Sequence, residues 1–367
     1  MAHINKLDLV KFAPRNGEGF YDTCKRKIDA YFKENKIEPY ANASMVTKTI
    51  LILLMYIAPY IVMVSGVFNG STFGFLAMWV LMGLGMVGVG CSIMHDSNHG
   101  SYSTNKTLNK LLGKVIVLVG GYHVTWKIQH NILHHTYTNI EGLDHDIDAG
   151  ALLRFSPHSK WYGMHRFQVL YAWFLYGLLT LQWATIKDFR QVYEYHKLDL
   201  LKKEKKTLAS ALTEVAIYKL FYYAVIIFIP IFVTGAPWHL VLIGFVIMHF
   251  IAGLSLSAIF QLAHVMEECE FPTPDDSRKM ENNWAVHQLK TTANFSPRSV
   301  IMSWFIGGLN RQIEHHLFPH ICHVHYKKIA PIVKQTAREY NLPYHEQPTF
   351  MDALLDHSRM LLKMGKK

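Results

Sequence analysis

The sequence predicts an all-α integral membrane protein, with four transmembrane helices arranged as two hairpins and a cytosolic helical cap holding a di-metal site. Three observations lead there. Half of the 367 residues are hydrophobic and only 17% are charged, well below the roughly 25% of an average soluble protein. Four apolar runs, in two pairs, each have the length needed to cross a bilayer core, about 20 residues. Three histidine clusters stand beyond the ends of those runs.

Taken in order, the first 44 residues open MAHINKLDLVKFAPRNGEGF. They show neither a charged-then-apolar leader nor a glycine at position 2, so an uncleaved cytosolic segment is expected. Residues 49–68 and 72–94 are apolar and are separated by the turn FNGS, which makes a first hairpin. Residues 216–233 and 238–263, joined by TGAP, make a second, with Lys219 placed to snorkel near one end. Two runs between the hairpins are ambiguous: 111–122 is too short to span, whereas 167–186 is long enough. A crossing at 167–186 would put KDFRQVYEYHKLDLLKKEKK on the far side and turn the later histidines away from the earlier ones. Lying flat in the interface, it keeps every basic segment on one face and leaves FNGS and TGAP without Lys or Arg, as the positive-inside rule prefers. Four crossings with both termini and the cap cytoplasmic are therefore expected. This divides the chain into residues 1–44, a central unit 45–343 and a tail 344–367. Within the unit, the hairpins lie at about 45–94 and 216–263, and the cap at 95–215 and 264–343.

The net charge of +10, counted without the 22 His, calls for an anionic leaflet or acidic partners. Cys24, Cys91, Cys269 and Cys322 are widely spaced and form no C-x-x-C pair, which suits a reducing compartment.

The clusters are HDSNH (His95, Asp96, His99), HNILHH (His130, His134, His135) and QIEHH (Gln312, His315, His316). On a helix, residues four apart share a face, so His95 with His99, and His130 with His134, are expected to address a common ion. Adjacent histidines, about 100° apart around the axis, suit the region between two ions. One H-x-x-x-H pair alone is more often solvated surface or a satisfied core histidine. Three clusters on one membrane face exceed the four ligands of a tetrahedral zinc site and point to two ions. Imidazole suits Zn, Cu, Fe or Ni, so the ligand type leaves the metal open.

HDxxH, HxxxHH and QxxHH in this order, with HHTYTNIEGLDHDID and NRQIEHHLFPH around them, resemble the membrane fatty acid desaturases. The Gln-led third cluster resembles the front-end (delta-5/delta-6) subgroup, which adds a cis double bond on the carboxyl side of an existing one. The resemblance covers residues 44–343. It implies two iron ions, O2 as co-substrate, and the ligands His95, His99, His130, His134, His135, His315 and His316, with His264 in QLAHVMEE as an eighth. Gln312 stands where related subgroups have histidine, and it would ligate through its carbonyl oxygen, hold a water or bond a neighbouring imidazole. The implied partners are a fatty acyl substrate (acyl-CoA or acyl-lipid), the lipid bilayer and an electron donor, with no nucleic acid. Front-end relatives often carry a fused cytochrome b5 domain. The first 44 residues are too short for one and lack H-P-G-G, so a separate ferredoxin or cytochrome b5 type donor is expected.

Asp96 and Glu314, inside the clusters, are expected to accept hydrogen bonds from ligand imidazoles. Asp144, Asp146 and Asp148 read first as a solvated acidic loop and second as such acceptors. His249 is expected to be a neutral, hydrogen-bonded imidazole within the fourth crossing. His287 and Asn294 are weaker ligand candidates, and His320, His323 and His325 are expected in structure or on the surface. The basic runs 202–206 and 327–328 suit anionic headgroups, an acidic donor or CoA phosphates. The rival readings are a di-iron hydroxylase of lipid, alkane or carotenoid and, further off, a metal transporter or zinc-bearing receptor. Transport would place ionisable groups at mid-membrane on several helices.

Overall fold

Each of the four apolar runs folds as one long helix with identifiable end signals. The computed structural model describes residues 10–14, 17–68 and 70–367. Asn69 of the FNGS connector and residues 1–9, 15 and 16 of the N-terminal segment lie outside them. After α1 (Phe20–Glu34) comes α2 (Ala43–Val64), whose Asn42 side chain accepts the Met45 amide. Helix α3 (Thr72–His99) is capped by Ser71 and ends at Gly100, whose φ of 76° allows a left-handed stop. Helices α4 (Lys106–Val119) and α5 (His123–Tyr137) meet at 110°, and α6 (Gly163–Gly177) and α7 (Leu179–Lys197) at 52°. Helices α8 (Leu208–Val233) and α9 (Trp238–His264) form the second hairpin. The cap continues with α10 (Trp284–Thr291), α11 (Val300–Phe305), α12 (Gln312–Leu317), α13 (Tyr326–Glu339) and α14 (Phe350–Met364).

Helices α2, α3, α8 and α9 are long and apolar enough to cross a membrane. Leu54, Ile61, Leu220 and Phe232 on their outer faces are more than half exposed, as lipid-facing side chains are. The two central helices run further than expected: α3 continues past residue 94 to His99, and α9 ends on His264 itself. Both carry histidines on the rigid ends of crossings.

The run 167–186 is not one straight helix. It breaks at Leu178, and α6 and α7 fold onto α9. Gly253 makes that approach possible, since a Cβ there would stand 2.5 Å from the Gly177 carbonyl oxygen. At the break, Thr180 meets His249, whose Nδ1 lies 3.1 Å from the threonine hydroxyl and whose Nε2 lies 2.8 Å from Tyr222 Oη. This is the hydrogen-bonded core role expected for His249. Lys219 departs from expectation: it does not snorkel but is buried, pairing with Asp188 and donating to the carbonyls of Gly120 and Trp183. Asp188 also accepts from Thr125 at 2.7 Å. A buried ammonium needs such partners, and meeting them ties both bent helix pairs to α8.

Among the described residues the all-α expectation has one small exception, a two-stranded sheet. β1 (Ala293–Phe295) pairs in parallel with β2 (His345–Gln347), which satisfies the backbone of a fully buried extended segment. Residues 344–367 are thereby built into the body. Helix α14 packs on α6 and on the end of α9, where His357 Nδ1 lies 2.8 Å from the Val265 carbonyl and its Nε2 2.8 Å from Tyr176 Oη.

Candidate metal centre

The end of α3 supplies His95 and His99, α5 supplies His130, His134 and His135, α9 supplies His264, and α12 supplies His315 and His316. These four elements meet in the cap against the ends of α3 and α9. The histidines sort into two groups. His95, His99, His130 and His315 bring one ring nitrogen each to within 4.8 Å of one another, and His134, His264 and His316 do the same. His135 stands between them, its Nε2 3.3 Å from His130 Nε2 and 2.9 Å from His315 Nε2, its ring 4.4 Å from that of His316.

Local winding explains the sorting. Residues 128–134 form a π-helical segment, in which hydrogen bonds run to i+5 and residues five apart come together. His135 therefore lies beside His130, and His134 turns to the other group. His130 and His134 still share a neighbourhood, as their spacing predicts: with Asp146, which approaches Nδ1 of both rings, they bring one ligating atom each to within 4.8 Å of one another, while each also belongs to a different histidine group. A second π segment, Val89–Met94, leads into His95. Adjacent His315 and His316 divide between the groups, as expected of neighbours on a helix.

Most of these rings are anchored at Nδ1. His134 Nδ1 lies 3.1 Å from both Asp144 oxygens, and Asp146 is 3.4 Å from His130 Nδ1 and 3.6 Å from His134 Nδ1. His264 Nδ1 faces the Thr291 carbonyl at 3.2 Å, His315 Nδ1 the Tyr326 hydroxyl at 3.2 Å, and His316 Nδ1 the Gln288 Oε1 at 2.7 Å. The Asp96 carboxylate is 3.4 Å from His95 Nδ1. On the inner side, Nε2 of His95, His99, His134, His264 and His316 is buried without a hydrogen-bond partner among the described residues. Buried polar atoms are normally satisfied, so this many orphaned nitrogens facing each other mark a place for Lewis acids.

The protonation states agree. Burial first, then neighbouring imidazoles, holds His135, His315 and His316 well below the usual histidine range. Burial lowers His130 to about 3 against the pull of Asp146. Burial also opposes charge on His134, but Asp144 and Asp146 outweigh it and raise that ring to about 9. Neutral imidazole is the form that binds metal, and a metal ion would replace the proton that the two aspartates favour on His134. The donor set, all imidazole and too numerous for one tetrahedral ion, fits two ions of the Fe, Zn, Cu or Ni type.

The remaining candidates fall as follows. Gln312 is fully buried on α12 with neither Oε1 nor Nε2 partnered among the described residues. Glu314 corrects the sequence expectation: it accepts from Asn294 Nδ2 at 2.9 Å and Tyr344 Oη at 2.8 Å, and among the described residues from no imidazole. Asp144 and Asp146, read first as a solvated loop, are instead the acceptors behind HNILHH. Asp148 is confined to its turn, accepting from Gly150. His287 Nε2 lies 2.8 Å from the Thr138 carbonyl, away from both groups. His325 meets the Tyr40 carbonyl at 2.9 Å. Sequence reasoning missed Gln288, the Thr291 carbonyl and Tyr326, and also Trp126, whose ring lies 4.6 Å from that of His130. Gln288 is the immediate neighbour of the ligand candidate His287 in WAVHQLKTTANFS, and it, not His287, reaches the site.

Residues 71–348 match the family described as Fatty acid desaturase. The chain is 36% identical to an sn-1 linoleoyl-lipid 6-desaturase of Arthrospira platensis, over 95% of this chain and 93% of the relative. It is 34% identical to the sn-1 linoleoyl-lipid 6-desaturase of Synechocystis, over 98% of each. It is also 36% identical to an acyl-lipid (8-3)-desaturase of Physcomitrium patens, over 98% of this chain and 74% of the relative. The histidine geometry and these matches lead to one conclusion: the chain belongs to the fatty acid desaturase family.

Proposed function

We propose that this desaturase holds two iron ions in its two histidine groups. With O2 it would place a cis double bond in the acyl chain of a membrane lipid, on the carboxyl side of an existing double bond. The observation that carries the reading is the convergence of unpartnered Nε2 atoms from His95, His99, His134, His264 and His316, the rings of His95, His134, His264 and His316 being anchored from behind at Nδ1. His130, His135 and His315 complete the ligand set, and Gln312 is its ninth, polar neighbour. Acyl-lipid substrate and front-end regiochemistry are favoured over acyl-CoA by the relatives, two of which are named for the 6-position of linoleoyl lipids.

Iron, when bound, supplies the oxygen activation and hydrogen removal that no side chain can perform. The chain's own residues do the rest. Asp144, Asp146, Gln288, the Thr291 carbonyl and Tyr326 fix the orientation of the His130, His134, His264, His315 and His316 rings and direct their lone pairs inward. Burial of all the rings but His99, which is partly exposed, keeps water from the reacting carbons. Because His99 and His264 end the second and fourth crossings, an acyl chain rising from the bilayer reaches the groups while its head group stays at the interface. Cap and termini are placed in the cytoplasm by this reading. It is supported by connectors 65–71 and 234–237, which have no Lys or Arg. Residues 45–343 are the desaturase unit, flanked by 1–44 and 344–367. Electrons come from a ferredoxin or cytochrome b5 type donor, for which the basic runs 202–206 and 327–328 are candidate contacts.

His→Ala at His99, His134 or His315, followed by acyl profiling of expressing cells, tests the site. Loss of product with the protein still inserted is expected, and full product from all three would overturn the assignment. A hydroxylated product from the wild type would instead favour an oxygen-inserting enzyme.

A further inference from the structure

Behind the Asp96–His95 contact a buried polar chain continues through His323 and Lys48, which have no part in the reading above. Lys48, one turn inside α2, is 3% exposed, and its Nζ lies 2.7 Å from His323 Nε2 and 5.4 Å from the centre of the Trp304 ring. His323 Nδ1 lies 2.7 Å from Asp96 Oδ2, and the His323 amide donates to the same oxygen at 3.1 Å. The other oxygen of Asp96 is 3.4 Å from His95 Nδ1. Asp96, Cys322 and His323 have metal-ligating atoms in mutual reach, but the Lys48 ammonium already provides the cation there.

The hydrogen bonds have only one consistent direction. An ammonium has donors and no acceptor, so His323 Nε2 must accept. The proton of a neutral His323 is then on Nδ1, which donates to Asp96. Asp96, an acceptor only when ionised, takes its third hydrogen bond from His95 Nδ1–H, and that leaves the lone pair of His95 on the orphaned Nε2. We infer that Lys48 and His323 are positioning residues that set the tautomer and orientation of His95 from the first crossing, through Asp96. The inference rests on His95 being a metal ligand, as proposed above. It adds that metal affinity in the cap is controlled from a residue on a crossing that supplies no ligand.

The test is iron binding by purified, detergent-solubilised full-length protein, measured by chelator competition, for wild type, K48M, K48R, H323L and H95A. Folding is monitored by circular dichroism and elution volume. Support requires that folded K48M and H323L, which removes both the acceptor and the donor of the imidazole, bind iron roughly 10–100-fold more weakly, the range for loss of a group behind a ligand. It further requires that K48R, which keeps a donor-only cation, recover most of the affinity, and that K48M/H323L be no worse than either single variant. Folded K48M with wild-type affinity would overturn the inference, as would K48R as weak as K48M. If K48M is not recovered folded, H323L decides alone: weaker binding supports the chain, unchanged binding sinks it. H95A separates the two levels of the argument. If it binds iron as wild type does, the ligand reading fails; if it loses iron while K48M and H323L keep it, only the present inference fails.

Discussion

Asp144 illustrates how much of the site's chemistry sits one bond behind the ligands. It is fully buried, and it holds His134 Nδ1 and the Asn139 amide together. D144N keeps the shape but removes the charge, so iron affinity is expected to fall roughly 10–100-fold, measured by the same chelator competition. Metal-free protein should also respond to pH in a defined direction. His130, His135, His315 and His316 are held below the ordinary value of 6.5, so between that value and their own the unfolded chain binds more protons than the folded one. Stability of the apo protein is then lost as pH falls below about 6.5. His134, raised to about 9, has the opposite sign: its contribution is complete below 6.5 and fades as pH rises through 9. Thermal unfolding of apo protein at pH 7.5 and 5.5 checks the first effect, and a midpoint unchanged or higher at pH 5.5 would contradict it.

At the scale of elements, the crossings were legible because a run of about 20 apolar residues has few other solutions. Their ends were less so. Helix α3 continues through HDSNH although that stretch is polar, because the cap buries it; hydropathy reports the solvent, and here protein takes the solvent's place. The π segments at 89–94 and 128–134 left no recognisable mark in sequence, and with them went the close approach of His135 to His130. The bends also escaped. Gly177 and Gly253 read as ordinary residues of apolar runs until their backbones meet, and Lys219 read as a snorkelling lysine until Asp188, 31 residues away, closed on it. Removing one partner of a buried ion pair leaves the other uncompensated, at a cost of about 3–5 kcal/mol. K219M is therefore expected to lower the thermal midpoint of the solubilised protein and to loosen α5, with a smaller loss in K219M/D188N. A K219M midpoint equal to wild type would show that the pair does not hold the bent helices.

For the whole molecule, the clusters of the candidate centre are legible because their residue type is rare and repeated, as in His95, His99, His130, His134, His135, His315 and His316, whereas His264, alone in its stretch, is singled out by the family resemblance. What lay behind them was not, since Gln288 and a backbone carbonyl have no compositional signature. The two hairpins bring distant clusters to one face, which a topology measurement can check. A cysteine placed in TGAP is expected to react with an impermeant thiol reagent from outside the cell, and one in KKEKK is not; the reverse labelling would invert the arrangement. The most direct test of the central claim is expression in a host supplied with linoleic acid, with mass-spectrometric localisation of double bonds in the membrane lipids. The account predicts a new double bond on the carboxyl side of the existing ones with wild type and none with H315A. A hydroxylated chain, or undiminished desaturation by H315A, would contradict it.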